Sequence, residues 1–522
     1  MVKYPIGIQT FENIREGGYL YVDKTQYVYD LANNYKYIFL SRPRRFGKSL
    51  LTSTFNSYFS GRKDLFEGLA AGKLEKEWVE YPVLQFSLST AKLGTTEDLF
   101  THLNLQLSKI EERYGLENSI GLENPGARFQ NDVIKLYEKA QKKVVILIDE
   151  YDAPMLTVMG DDAKLETMRI ALQSFYAPLK DLDPYLRFVF ITGITKFSQL
   201  SIFRQLNNLK KISMLPEYCA VCGITQKELE ANCQEGIDKL CRVQEWTREE
   251  ALENLRNKYD GYHFTHSSDG VYNPFSLLNA LDESELNNEW FATGTPTFLL
   301  KQIRKFNADI TELDNCVCDI DEFDAPTENM HSIIPLFYQS GYLTIKAYEK
   351  RSRRYTLGFP NEEVKVGITQ MLIPNYVSPN INATNTACWK ISEGLMDGHV
   401  EAALQAARSY FASIPYQEGT LKDAPATEGH FTAMLYVMFS FLNKHVYSQV
   451  RVAKGRLDIL VKTADTVYVM ELKLDGTVED ALQQIEDKGY AIPYETDGKK
   501  LIKIGLVFST KDRTITDWKV ME

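Results

Sequence analysis

Four short apolar runs punctuate the first two hundred residues: Tyr37-Ile-Phe-Leu40, Val83-Leu-Gln-Phe86, Val144-Val-Ile-Leu-Ile148 and Leu186-Arg-Phe-Val-Phe-Ile191. Runs of this length predict strands buried on both faces. Between them apolar residues recur every three or four positions, which predicts helices over 48–58, 96–114, 127–142 and 162–180, after a first helix over 25–33 capped by Asp23 or Thr25. Strands alternating with helices predict an α/β fold with a mostly parallel sheet covered on both faces, and ligands then bind at the carboxyl ends of the strands. From about 215 the pattern turns helical, near 225–242 and 247–258, with an aromatic turn Tyr259-Asp-Gly-Tyr-His-Phe264 and a helix opened by Pro274. A helical lid or winged-helix module fits there, followed by a helix and hairpin within 301–385. Beyond 386 come a helix over 427–442, two strands near 455–461 and 466–473, and a helix over 478–487. The expected division is 1–214, 215–300, 301–385 and 386–522.

Length and charge narrow the reading. A chain of 522 residues exceeds what one hydrophobic core organises, and 44% apolar with 25% charged residues is ordinary globular composition. No run reaches the roughly 18 apolar residues that span a bilayer, and Met1-Val-Lys-Tyr-Pro5 lacks a signal-peptide core, so a cytoplasmic protein with no membrane partner is expected. Seven cysteines fit reduced thiols better than a disulfide framework. Cys219-x-x-Cys222 lacks the second close pair that a structural zinc asks for. A net charge of −11 excludes a protein that coats nucleic acid non-specifically, while leaving room for a local basic cleft.

That cleft has a candidate. The first strand runs into Ser41-Arg-Pro-Arg-Arg-Phe-Gly-Lys-Ser49, the outline of a phosphate-binding P-loop. Backbone N–H groups around Gly47 would cradle phosphates, Lys48 would reach the β and γ phosphates of ATP, and Ser49 would ligate Mg²⁺. Arg42 and Pro43 stand where the usual first glycine would be. Between Leu31 and Lys63 lie seven basic residues, Arg42, Arg44 and Arg45 among them, and no acidic one, which concentrates positive potential where an anion would sit. About a hundred residues on, the strand ending in Asp149-Glu150 would deliver Asp149 to the metal and Glu150 to a hydrolytic water. Thr192 or Thr195, after the next strand, is placed to sense the γ phosphate. Arg187 and Arg204 are candidates for an arginine finger.

A second constellation lies near the C-terminus. Alternation along Val467-Tyr-Val-Met-Glu-Leu-Lys473 puts Glu471 and Lys473 on one face, thirteen residues after Asp458, with Glu428 on the preceding helix. Asp458 and Glu471 suit a hard cation such as Mg²⁺, and Lys473 can position water or stabilise a pentavalent phosphate, which is what phosphodiester hydrolysis asks for. Gln483 and Gln484 follow, available to the water or to DNA. A surface salt bridge of Lys473 is the plain alternative.

Both halves resemble a bacterial family, the predicted AAA-ATPases with a C-terminal PD-(D/E)XK nuclease-like domain of restriction-endonuclease-like fold. The resemblance rests on Tyr21-Val-Asp-Lys-Thr25, the loop Arg42 to Ser49, Ile148-Asp-Glu-Tyr-Asp152, Thr192-Gly193, Tyr259-Asp-Gly-Tyr262, Tyr272-Asn-Pro274, Gly341-Tyr-Leu-Thr344, Pro360-Asn-Glu-Glu-Val364, Gly455-Arg-Leu-Asp458, Glu471-Leu-Lys473 and Ala481-Leu-Gln-Gln-Ile485. It implies that Arg42-Pro43 is the family's own form of the loop. It also implies that Glu428, Asp458, Glu471, Lys473 and Gln484 form the nuclease pattern. The expectation is an ATP-binding, ATP-hydrolysing protein coupled to a Mg²⁺-dependent DNA nuclease. The alternative is a nucleotide-switched protein whose C-terminal domain binds nucleic acid or a partner without cutting. An arginine supplied by a neighbouring domain or subunit would speed hydrolysis, which leaves a homo-oligomer open.

Overall fold

The computed structural model describes the chain except residues 1, 90–92, 118–122, 197–208, 291–296, 307, 309–312, 328–329, 369–380, 414–433, 436–437, 439–445 and 453–454. It divides into two compact units, Met1–Ala308 with Val317–Asn361, and Asp309–Cys316 with Glu362–Glu522. The helical segment 215–300 lies within the first. Among the described residues no helix is long and apolar enough to cross a membrane.

In the first unit, β1 (Tyr37–Ser41), β2 (Val83–Ser87), β3 (Val144–Asp149), β4 (Leu186–Gly193) and the short β5 (Lys210–Lys211) form a sheet in the order β2-β3-β4-β1-β5. Every pairing is parallel. All residues of β1 and β3 are buried, as their continuous apolar runs require. The register sets Ser41 opposite Gly193 and Ile148 opposite Ile191, so the carboxyl ends of β1, β3 and β4 open onto one edge. The helix Lys48–Phe59 packs back over the sheet through Phe55, 5.0 Å from Phe188 and 4.9 Å from Phe190 between ring centroids.

The helix expected over 162–180 stops at Tyr176, because Pro178 lacks an N–H and turns the chain into a 3₁₀ turn. The helix expected over 225–242 is two, Gln226–Asn232 and Gln234–Gln244, separated at Cys233. They share a core with Leu255, Tyr259, Tyr272 and Leu277, and with Tyr4 of the N-terminal segment. A small sheet of β6 (Cys316–Cys318), β7 (Thr344–Glu349) and β8 (Arg354–Gly358), ordered β6-β8-β7, includes the expected hairpin.

The second unit holds β9 (Val446–Val452), β10 (Gly455–Lys462), β11 (Thr466–Leu474), β12 (Lys500–Ser509) and β13 (Thr514–Met521) in the order β13-β12-β11-β10-β9. Only β11 and β12 run parallel, and the helix Val478–Lys488 connects them. Val467 and Val469 meet Leu482, Ile485 and Tyr490 in one core, so the face of β11 that carries Glu471 and Lys473 is the face covered by that helix. The helix expected over 427–442 falls largely outside the described residues, and Glu428 with it.

Candidate functional site

At the open edge of the first sheet, β1 leads into the loop and the loop into the helix Lys48–Phe59. Gly47 supplies the turn with φ +89°, a conformation that side-chain-bearing residues rarely adopt. The Lys48 side chain is almost fully buried, and its Nζ donates to the Pro43 carbonyl at 3.0 Å. That is its single acceptor among the described residues, so two N–H bonds remain for phosphate oxygens. Asp149 ends β3, 5% exposed, and its Oδ1 is buried without a hydrogen-bond partner among the described residues. Burial pushes its carboxyl above the usual carboxylate range, while the neighbouring Ser49 hydroxyl and Lys48 ammonium pull the other way. A buried carboxylate oxygen left unpaired beside a hydroxyl is a donor set for a small hard cation, and Mg²⁺ fits it. Glu150 follows in the left-handed region, φ +53°, the kind of strain that functional positions carry. On β4, Thr192 is fully buried, its hydroxyl unpartnered among the described residues.

Beside the loop runs a narrow apolar slot of about 90 Å³, walled by Val22 and Lys24 of the N-terminal segment, Gly47 and Leu51 of the loop and helix, and Cys222 and Gly223. Lys24 is held there by Glu228, which accepts at 2.6 and 2.7 Å. Asp23 takes the Thr25 N–H at 2.8 Å and the Ala70 N–H at 2.8 Å, which fixes the N-terminal segment as one wall of the slot.

In the second unit, Asp458 and Glu471 sit one step beyond the Ile459–Met470 pair of β10 and β11, facing each other across the two strands. Both are buried, and each accepts from the opposite backbone: Leu472 N–H to Asp458 Oδ2 at 2.9 Å, Asp458 N–H to Glu471 Oε2 at 3.4 Å. Two like charges directly opposite on neighbouring strands repel unless a cation joins them, and their oxygen donors fit Mg²⁺. Lys473 Nζ lies 3.8 Å from Glu471 and donates to Gln484 Oε1 at 2.6 Å; Gln484 Nε2 in turn donates to Glu471. Gln484 thus bridges the acid and the lysine. Among the described residues no third acid joins them.

Residues 5–203 match the family described as predicted AAA-ATPase, and residues 426–518 match the PD-(D/E)XK nuclease superfamily. A relative from Azotobacter chroococcum mcd 1, described as an uncharacterized protein in the vnfD 5' region, is 32% identical over 526 residues, covering 99% of this chain and 98% of its own. The chain belongs to the predicted AAA-ATPases that carry a C-terminal PD-(D/E)XK nuclease superfamily domain.

In this AAA-ATPase family member the loop's arginines diverge. Arg42 is 1% exposed, and its guanidinium is directed away from a phosphate role. Nη1 donates to the carbonyls of Ser41 and Ser213, Nη2 to those of Tyr218 and Cys219, and the group lies 3.9 Å from the Phe264 ring centroid. The structure therefore corrects the expectation that Arg42 adds charge at the phosphates: it ties the loop to the segment after β5. Arg45 donates to the Glu289 carbonyl and covers Phe275 at 4.2 Å. Arg44 is exposed. Phe46 inserts between Tyr262 and Phe264, with centroids at 4.7 and 5.6 Å. Arg187 is near the amino end of β4, opposite the site, donating to the Ala32 carbonyl at 3.0 Å; Arg204 lies outside the described residues.

Two residues escaped the sequence reading. Asp152, fully buried, accepts from the Ile194 N–H at 3.0 Å and from the Thr195 N–H and hydroxyl, both at 2.6 Å. It fixes the end of β4, and it commits Thr195 to structure while Thr192 stays open. Its only trace in the sequence is the last position of Asp149-Glu-Tyr-Asp152. Tyr490 offers its hydroxyl to Gln484 Nε2 at 3.4 Å, and six residues of separation hide the pair.

Proposed function

We propose that the first unit binds and hydrolyses ATP with Mg²⁺, and that nucleotide state controls Mg²⁺-dependent cleavage of DNA by the second unit, within the cytoplasm. The observation that carries the reading is the buried, unpartnered Asp149 Oδ1 beside Ser49 and beneath a lysine with N–H bonds to give.

On this reading Lys48 and the N–H groups of the loop take the β and γ phosphates, Arg44 adds exposed charge, and the base enters the slot beside Val22 and Gly223. Ser49 and Asp149 would hold Mg²⁺, which would supply charge neutralisation at the transferring phosphate. Glu150 orients water and accepts its proton as the water oxygen bonds the γ phosphorus and the bond to the bridging oxygen breaks. Thr192 contacts the γ phosphate and so distinguishes ATP from ADP. Hydrolysis would be slow unless an arginine is supplied by a neighbouring domain or subunit.

In the second unit Asp458 and Glu471 would hold Mg²⁺, and the family resemblance adds Glu428, which lies outside the described residues. Lys473 positions the attacking water, a phosphorus–oxygen bond forms as that to the leaving sugar oxygen breaks, and Gln484 keeps Lys473 aimed.

The test pairs ATP hydrolysis by the wild type and Lys48→Ala with Mg²⁺- or Mn²⁺-dependent cleavage of single- and double-stranded DNA by the wild type, Asp458→Ala and Lys473→Ala. Loss of each activity in its own variants is expected. Intact hydrolysis without cleavage under any condition removes the nuclease assignment in favour of a nucleotide-switched binding protein. A wild type that binds no nucleotide removes the whole reading.

A further inference from the structure

The outer edge of β2 carries a second cleft, which shares no lining residue with the slot beside the loop. β2 is an edge strand, paired with β3 on one side and flanked on the other by the helix Thr96–Tyr114. That helix closes the strand's outward backbone groups at both ends. The Tyr114 hydroxyl accepts from the Val83 N–H at 2.8 Å and donates to its carbonyl at 3.1 Å. Gln106 accepts from the Ser87 N–H at 2.9 Å and donates to its carbonyl at 3.0 Å, with His102 Nε2 at 2.9 Å from the same carbonyl. Backbone groups of alternate residues point the same way along a strand, so those of Gln85 also face outward. At that level the helix offers Ile110, which has no polar side-chain atom.

Around this gap opens a cleft of about 420 Å³, within the range of small-ligand sites. Its floor is amide: Asn56 Nδ2 donates to Gln85 Oε1 at 2.6 Å, next to Gln106. Its rim is cationic: Lys109 and Arg113, four residues apart on one helix face, are exposed. Among the described residues no acidic one lines it, in a chain with a net charge of −11.

We infer that this cleft binds a nucleotide unit, its phosphate on Lys109 and Arg113 and the polar edge of its base on the amide floor around Gln85. The guanidinium fork matches phosphate oxygens, and amide side chains with an open backbone N–H and C=O offer the mixed donors and acceptors that a base edge presents. The inference stands apart from hydrolysis at the loop and cleavage in the second unit. The nucleotide is either free or one link of a single strand, and the two sources separate experimentally.

The probes are AMP and a single-stranded oligothymidylate of about ten nucleotides, titrated into full-length Lys48→Ala protein with and without Lys109→Glu/Arg113→Glu. Oligonucleotide affinity is expected to fall about tenfold in the double reversal, and the slope of log affinity against log salt to shrink by about 0.7, the value for the single phosphate that the two cations hold. A fall for AMP alone assigns the site to a free nucleotide. Gln85→Leu, which keeps both cations, is expected to weaken the same probe several-fold. ATP hydrolysis by the double reversal in the otherwise wild-type chain stays within about twofold. Equal binding of both probes with and without the reversal overturns the inference, as does a Lys48→Ala protein that binds neither.

Discussion

The two candidate sites hold charged groups for the proposed phosphate chemistry in opposite ways. In the proposed nucleotide site the functional atoms are left open among the described residues, with Asp149 Oδ1 and the Thr192 hydroxyl unpartnered and Lys48 bonded to a single carbonyl. Residues that touch no phosphate do the holding: Arg42 grips four carbonyls and Asp152 pins the end of β4. In the carboxylate site the functional side chains hold one another, Glu471 to Gln484 to Lys473, and each acid to the opposite strand. A site with a separate scaffold loses chemistry and stability through different residues, whereas a self-bonded site loses both through the same ones.

The largest effects test that separation directly. Lys48→Ala is expected to lower ATP turnover by roughly two to three orders of magnitude, as loss of a preorganised charge contact does, with the melting temperature nearly unchanged. Asp458→Ala is expected to abolish cleavage to a similar degree but also to lower the melting temperature, because the Leu472 N–H then loses its buried acceptor. Equal thermal behaviour of the two variants would break the comparison. Arg42→Lys comes next: an ammonium cannot span four carbonyls and stack on Phe264, so a loss of about 3 kcal/mol is expected in chemical denaturation. ATP binding would weaken through the displaced loop, and unchanged affinity in a protein destabilised to that degree would show that the loop keeps its shape without its anchor. Gln484→Ala should lower cleavage about tenfold with metal affinity largely kept, since its task is to aim Lys473. Gln484→Glu tests the same bond, because its added negative charge lies beside Glu471.

Much of this was legible in the chain. The parallel sheet follows from four short apolar runs, two of which tolerate one polar residue, Gln85 or Arg187, and β11 of the second site from the alternation that sets Glu471 and Lys473 on one face. What stayed hidden has physical causes. β12 opens Lys500-Leu-Ile-Lys503, and the two lysines interrupt the apolar run that marks a buried strand. Arg42 read as phosphate charge because sequence shows a cation but not its acceptors, and here the acceptors are backbone carbonyls around 213–219, far along the chain. Asp152 and Tyr490 act through partners 42 and 6 residues away, Ile194 and Gln484, and no local pattern encodes such a contact.

The smallest expected effect concerns the open carboxylate itself. Burial raises the Asp149 pKa, so the folded protein binds that proton more tightly than the unfolded chain does. Ionising it therefore costs stability at neutral pH, and the cost is absent below the ordinary carboxylate pKa of about 3.9, where both states are protonated. Asp149→Asn should accordingly be slightly more stable than the wild type at pH 7 in the presence of a chelator. That advantage should shrink as pH falls below the raised folded pKa and vanish near the ordinary one. Because only the difference between two nearly identical proteins is read, acid effects elsewhere cancel. Mg²⁺ with ATP should reverse the order at pH 7 by stabilising the wild type far more than the variant, since the oxygen left unpartnered by the protein then has its cation. A variant that is less stable than the metal-free wild type at neutral pH would show that Asp149 already has a partner that compensates its charge. The nucleotide site would then be as self-bonded as the carboxylate site it is contrasted with.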